Sequence, residues 1–225
     1  GHGDTEWQTY ASVAERNLHG FVLGRLWDSE RHLFRNTLGD PAFVPNKAAT
    51  TVEALLAWAK VSEDAEPLEN YAVPVLDAIL ACQLRDPASP LDGAIPQRVE
   101  ASSRQARFFP FYISRCIPAL IKAYEVLGDD RYLGAAGTAL AFVLRHCSSD
   151  GSFPQVVYAD GRVNRYPQWF AAVGDLLRAI SLLQPYGFEA DLEPALAWLL
   201  RGQMPTGAFR TAHGFSSIVS QRDPG

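Results

Sequence analysis

The sequence predicts an all-α fold of repeated αα-hairpins, with an inner and an outer set of helices. Three observations predict it. Glycine turns recur at a near-constant period: "LDGAIPQ" (91–97), "SSDGSFPQ" (148–155) and "PTGAFRT" (205–211) place Gly93, Gly151 and Gly207 58 and 56 residues apart. An amphipathic helical pattern precedes each turn. A second pattern, apolar almost all round, follows each of the first two, and a copy at 47–61 precedes them all; such helices are enclosed by others.

"NLHGFVLGRLWDSERHLF" (17–34) reads as a divergent first outer helix ending at Leu33 and Phe34. "KAATTVEALLAWAKV" (47–61) is the first inner helix: Val52, Leu55, Leu56 and Ala59 share a face, and Ala54, Trp58 and Val61 widen it. The outer helices are "LDAILACQLR" (76–85), "TALAFVLRHC" (138–147) and "PALAWLLRGQ" (194–203), and the other inner helices are 109–128 and 166–183. Gly128 caps one helix and Asp129 or Asp130 starts the next. Pro67, Pro110, Pro167 and Pro194 fall near helix starts, whereas Pro74 and Pro118 lie deeper and should kink their helices. Within "QVVYADGRVN", Asp160 and Gly161 mark a short β-hairpin decorating a loop. Asp-Gly supplies each tight turn, and the following Ile95, Phe153 or Phe209 is expected to drop between neighbouring hairpins and seal the core.

Residues 4–225 are expected to form one domain. The chain has 225 residues, nearly half of them hydrophobic, and carries a net charge of −5 with acids and bases interspersed. Without a basic stripe, a nucleic-acid surface is not expected. No apolar run is long enough to span a bilayer and no leader pattern opens the sequence, so a cytoplasmic location is the default expectation. Cys82, Cys116 and Cys147 sit in apolar helical patterns without CxxC spacing, which argues against a disulfide framework or structural zinc. No GxGxxG, P-loop, HExxH or GxSxG motif occurs, and no metal or organic cofactor is expected.

The repeat of apolar helix, Asp-Gly-aromatic turn and enclosed helix resembles the α/α toroid. That fold is shared by terpenoid cyclases, protein prenyltransferase β-subunits and many carbohydrate-active enzymes. "LRHCSSDGSFP" is similar to the cyclase and prenyltransferase repeat, and "YEVLGDDRYLGAAGTALAFVL" (124–144) is similar to hairpins of six-hairpin glycosidases, lyases and sugar epimerases. The resemblance implies a ligand cavity at the axis. The chain lacks the cyclases' DxDD. Asp129-Asp130 continues as Arg-Tyr-Leu rather than DDxxD, and no acid neighbours Cys116 at zinc-ligand spacing. A closed toroid takes five to seven hairpins, but only three complete inner helices are legible. "AHGFSSIVSQRDPG" (212–225) looks like the loop and opening turn of a fourth. The arc is therefore open or part of a longer chain.

Aligning the inner helices on "EALLAWA", "PALIKAY" and "GDLLRAI" makes Lys47, Tyr112 and Gln168 equivalent, with Arg115 one turn inside. Asp175 and Arg178 lie deeper, Asp175 seven residues from Gln168 and so on the same expected face. The candidate catalytic acids are Asp175 and Glu53. The candidate ligand-binding residues are Tyr112, Arg115, Gln168, Trp169, Lys47 and His213. Each has a structural alternative: Asp175, Arg178, Arg115 and Glu53 can be ion pairs between hairpins, the aromatics end-of-helix packing, and His213 a surface-loop residue. Phe109, Phe111, Tyr112, Tyr166 and Trp169 would put aromatics at a cavity mouth, suited to sugar rings or isoprenoid cations.

Three functions fit. The first is a carbohydrate-active hydrolase, lyase or epimerase, supported by the hairpin type, the aromatics and the acids Asp175, Glu53, Glu100 and Asp160. The second is an isoprenoid cyclase or prenyltransferase-like enzyme, and the third a non-catalytic binding or scaffold module. The expected partners are a small-molecule or saccharide ligand, bound where the long loops converge. The apolar flanks of the terminal hairpins are expected to be covered by capping elements, further hairpins or a second copy.

Overall fold

The computed structural model describes residues 3–62, 64–99 and 107–214. Helix α1 (Gly3–Asn17) continues as a π-helical segment, Leu18–Leu26, and then a two-stranded ribbon, β1 (Trp27–Asp28) against β2 (Leu33–Phe34). The first helix therefore begins earlier than expected. It ends at Leu26, because Leu33 and Phe34 pair in the ribbon.

Three αα-hairpins follow. In each, an inner helix leads through a short link to an outer one. The inner helices are α2 (Pro45–Ser62), α4 (Pro110–Leu127) and α6 (Phe170–Leu183). Their outer partners are α3 (Val73–Cys82), α5 (Asp130–His146) and α7 (Glu193–Arg201). Helix α4 packs between α2 and α6, with α5 behind it and α7 behind α6.

Local chemistry sets the helix boundaries. Pro110 opens α4 where its missing N–H costs no hydrogen bond. Gly128 ends α4 in the left-handed region, and Asp129 caps α5 by accepting from the Arg131 N–H at 2.9 Å. Pro74 sits at the start of α3, just after a π-helical turn (Leu68–Ala72), so it marks a change of helical type and not a kink.

The loops between hairpins carry the glycine turns, all at φ +85°. Their backbone bonds repeat. The N–H of Leu84, Ser148 or Met204 donates to the carbonyl just past the glycine, and the glycine N–H donates back. Arg145 and Arg201, near the ends of α5 and α7, each donate to a carbonyl of the preceding turn loop. A Cβ on Gly93 would lie 2.0 Å from the Thr138 carbonyl oxygen, and one on Gly151 2.0 Å from that of Pro194. Glycine is thus required twice over, by conformation and by the outer helix lying on it.

Ile95 and Phe153 are each only 2 % exposed, as the turn reading expects, but Phe209 is 44 % exposed. The third turn has the conformation of the others, but no hairpin lies over it among the described residues. The expected β-hairpin is present as β4 (Val156–Tyr158) and β5 (Val163–Asn164), and β3 (Arg107–Phe108) adds a third strand. The last ribbon pairs β6 (Gln168–Trp169) with β7 (Ala212–His213). Helix α6 therefore begins at Phe170, four residues later than expected, because the residues before it are engaged as a strand.

The core is one cluster running through all three hairpins, with Ile113, Ile117, Leu120 and Ile121 of the central helix α4 nearly inaccessible. The three cysteines are free; burial pushes the Cys82 and Cys147 thiols up to about 12 and raises Cys116 as well. Because the thiolate is the reactive form, iodoacetamide near pH 8 should leave the native chain unlabelled while the urea-unfolded chain takes three adducts by intact mass. Rapid native labelling would show that these thiols are accessible.

Candidate functional site

The inner helices share an exposed face, and most of their charges lie there. Thr50 and Ala57 of α2, Arg115 and Lys122 of α4, and Ala171 and Arg178 of α6 occupy equivalent positions, seven residues apart within each helix. That spacing returns a side chain to the same face.

Two ion-pair systems cross this face. Asp175 Oδ2 accepts from Arg115 Nε at 2.7 Å, joining α6 to α4. Glu53 accepts from Lys122 Nζ and from both terminal nitrogens of Arg178, one at 3.2 Å, so a single carboxylate ties α2 to α4 and α6. Its side chain is 14 % exposed, whereas the Arg178 and Arg115 side chains are 46 % and 47 % exposed. Burial opposes ionisation of Glu53, but the hydrogen bonds and charges of Arg178 and Lys122 outweigh it and hold the carboxyl below its ordinary value. Arg178 is raised, first by its hydrogen bond to Glu53. With three cations on two carboxylates, the cluster carries excess positive charge.

An aromatic set stands at the N-terminal ends of α4 and α6. Phe111 and Tyr112 have ring centroids 4.0 Å apart, Phe109 lies 5.5 Å from Tyr112, and Trp169 reaches Phe111 at 6.2 Å. All four are partly exposed, whereas Phe108 and Phe170 are buried. The aromatics thus stand at the N-terminal ends of α4 and α6, and the ion pairs run across α2, α4 and α6.

The other candidates lie elsewhere. Gln168 is buried and in a strand, not on the face of Asp175; its Nε2 donates to Ser152 Oγ at 2.8 Å, and Ser152 Oγ donates to Asp150 Oδ1 at 2.7 Å. It anchors a loop, because a buried amide must spend its donors internally. Lys47 is held by Asn36 Oδ1 at 2.6 Å. His213 is exposed opposite Gln168 in the ribbon, its ring 6.3 Å from Tyr166 and 5.8 Å from Trp198, in a cluster apart from the charged rows. Asp160 pairs with Arg162 at the exposed β4–β5 turn. Glu100 and residues 215–225 of the fourth-helix reading lie outside the described residues.

Lys122 went unnoticed in the sequence. Its signal was present: it lies seven residues after Arg115 and aligns with Arg178. Among the described residues, no group of three or more His, Cys, Asp or Glu side chains is arranged to hold a metal ion. No described helix is long and apolar enough to cross a membrane.

No protein-family model and no curated protein matches the chain. Solved structures do. The D-mannose isomerase structure superposes with a TM-score of 0.69 at 12 % identity, over 86 % of this chain and 56 % of its own. Cellobiose 2-epimerase from Bacillus thermoamylovorans gives 0.66 at 15 %, over 88 % and 53 %. The family 76 α-mannanase BT2949 of Bacteroides thetaiotaomicron gives 0.59 at 22 %, over 72 % and 44 %. The chain spans about half the length of these proteins. With helical hairpins layered as inner and outer sets and these superpositions, the chain has the α/α-toroid fold.

Proposed function

We propose that the axial groove binds a saccharide and that the chain is a carbohydrate-processing toroid domain. The observation that carries this reading is the combination of partly exposed aromatic rings at the N-terminal ends of α4 and α6 with an ion-paired row of Arg115, Asp175, Lys122, Glu53 and Arg178 on the same helices and α2. Sugars have apolar C–H faces that stack on aromatic rings and hydroxyls that both donate and accept, so they need this mixture. The matched structures are a mannanase, an isomerase and an epimerase by name, which supports the same ligand class.

In this reading Tyr112 and Trp169 stack on the ring, and Arg115 and Arg178 donate to hydroxyls. Asp175 and Glu53 accept from them. Glu53, held ionised between two cations, acts as an acceptor or charge stabiliser. A general acid instead needs a carboxyl whose proton is retained near neutrality. An isoprenoid cavity would be apolar, and five charges along the axis oppose it.

Calorimetry with manno- and cello-oligosaccharides tests the proposal. Trp169→Ala and Tyr112→Ala should each weaken binding about fivefold, corresponding to the ~1 kcal/mol of an aromatic contact, with the melting temperature shifted by only a few degrees. Wild-type affinity in both variants would remove these residues from the site. Product analysis by NMR after prolonged incubation reports cleavage or epimerisation; an unchanged sugar would reduce the function to binding.

A further inference from the structure

The charges on the inner-helix face do not balance. Arg115, Lys122 and Arg178 pair with only two carboxylates, Asp175 and Glu53, so the cluster is net positive in a chain whose net charge is −5. The two arginines are also engaged differently. Both terminal nitrogens of Arg178 donate to Glu53. Arg115 donates through Nε alone, to Asp175 Oδ2 at 2.7 Å, and among the described residues no hydrogen bond engages its two terminal nitrogens. Asp175 thus holds one edge of an exposed guanidinium and leaves the end-on pair of N–H groups unspent.

The neighbouring helices leave room beside it. At the positions equivalent to Arg115 they carry Thr50 and Ala171, both small and exposed, and Thr50 Oγ1 donates to the Asn46 carbonyl of its own helix at 3.0 Å. Gly174, also exposed, lies between Ala171 and Asp175, and a Cβ there would meet nothing within 4 Å. Tyr112 precedes Arg115 by three residues, on the same side of α4 and about 4.5 Å along its axis. An aromatic ring and a free guanidinium end therefore stand one helical turn apart.

Two parallel N–H groups match a carboxylate, which accepts both at once, more closely than they match a hydroxyl. We propose that the sugar is a uronate, an inference that rests on the saccharide reading above: its ring stacks on Tyr112 and its carboxylate is clamped by the terminal nitrogens of Arg115. Lys122 and Arg178 add attraction along the face, and Asp175 positions the clamp.

Calorimetry with sugars matched except at C6 tests the clamp: mannotriose against trimannuronate, and cellotriose against its C6-carboxylate form. At low ionic strength at least one uronate should bind about tenfold more tightly than its neutral partner, and added salt should close most of that gap, because exposed charges are screened. Arg115→Gln should bring the ratio of the two affinities to about one. Arg115→Lys, which keeps the charge beside Asp175 but not the fork, should lose most of the preference. If Arg115 only braced α6, both sugars would weaken together with the ratio unchanged, and the clamp would be overturned. Equal binding of neutral and uronate sugars by the wild type would also overturn it while leaving the saccharide reading in place; binding of neither would remove both. Inorganic phosphate or mannose 6-phosphate bound as tightly as the uronates would overturn the carboxylate clamp in favour of a general anion site.

Discussion

Gly151→Ala should destabilise the protein by about 3 kcal/mol or more, whereas the same change at Gly207 should cost about 1–2 kcal/mol. Both glycines have φ +85°, where a Cβ carries a penalty of ~1–2 kcal/mol. At Gly151 the Cβ would also fall 2.0 Å from the Pro194 carbonyl oxygen and 2.5 Å from the Ala195 nitrogen. The backbone of α7 must retreat to admit it, at the ~1–3 kcal/mol typical of overpacking. At Gly207 nothing lies within 4 Å, so only the conformational penalty applies. Urea unfolding of the variants, with unchanged m-values, measures the difference. Equal losses at both sites would show that no outer helix lies on the second turn.

Glu53→Ala should have the second large effect, a loss of about 2 kcal/mol, because it leaves Lys122 and Arg178 facing each other with no carboxylate between them. The value is set below that of a fully buried pair because both cations are more than a third exposed and partly screened by water. Lys122→Met alone should cost less, since Arg178 keeps the carboxylate paired through two hydrogen bonds. The contribution depends on pH. The Glu53 carboxyl titrates lower in the folded chain than in the unfolded one, so its stabilisation is complete above the ordinary carboxylate range and is lost as pH falls through the folded value. Comparing wild type with Glu53→Gln isolates this: their stability difference should shrink on acidification. A difference constant down to pH 3 would show that Glu53 is not held as a carboxylate.

The sequence made the hairpins legible because glycine turns and helical periodicity are local signals. It could not show the departures, which are tertiary. The π-helical segments at Leu18–Leu26 and Leu68–Ala72 have no distinct residue pattern. The β6–β7 ribbon joins residues more than forty apart and draws Gln168 and Trp169 off the helix. Helical spacing puts Gln168 on the face of Asp175, but the helix starts only at Phe170. The charged groups of α4 and α6 were legible as interruptions of apolar helices, but which acid meets which base depends on how the helices pack. Glu53 finds its partners on α4 and α6, 69 and 125 residues away, and no spacing rule reaches that far.

The exposed face of the inner helices is the proposed ligand face. Amide chemical-shift mapping during titration with mannobiose and cellobiose tests it most directly. Shifts should concentrate at residues 109–115 and 169–178, with a second group around Glu53. Shifts confined to the outer helices α3, α5 and α7, or to the Lys47 and His213 loops, would contradict it.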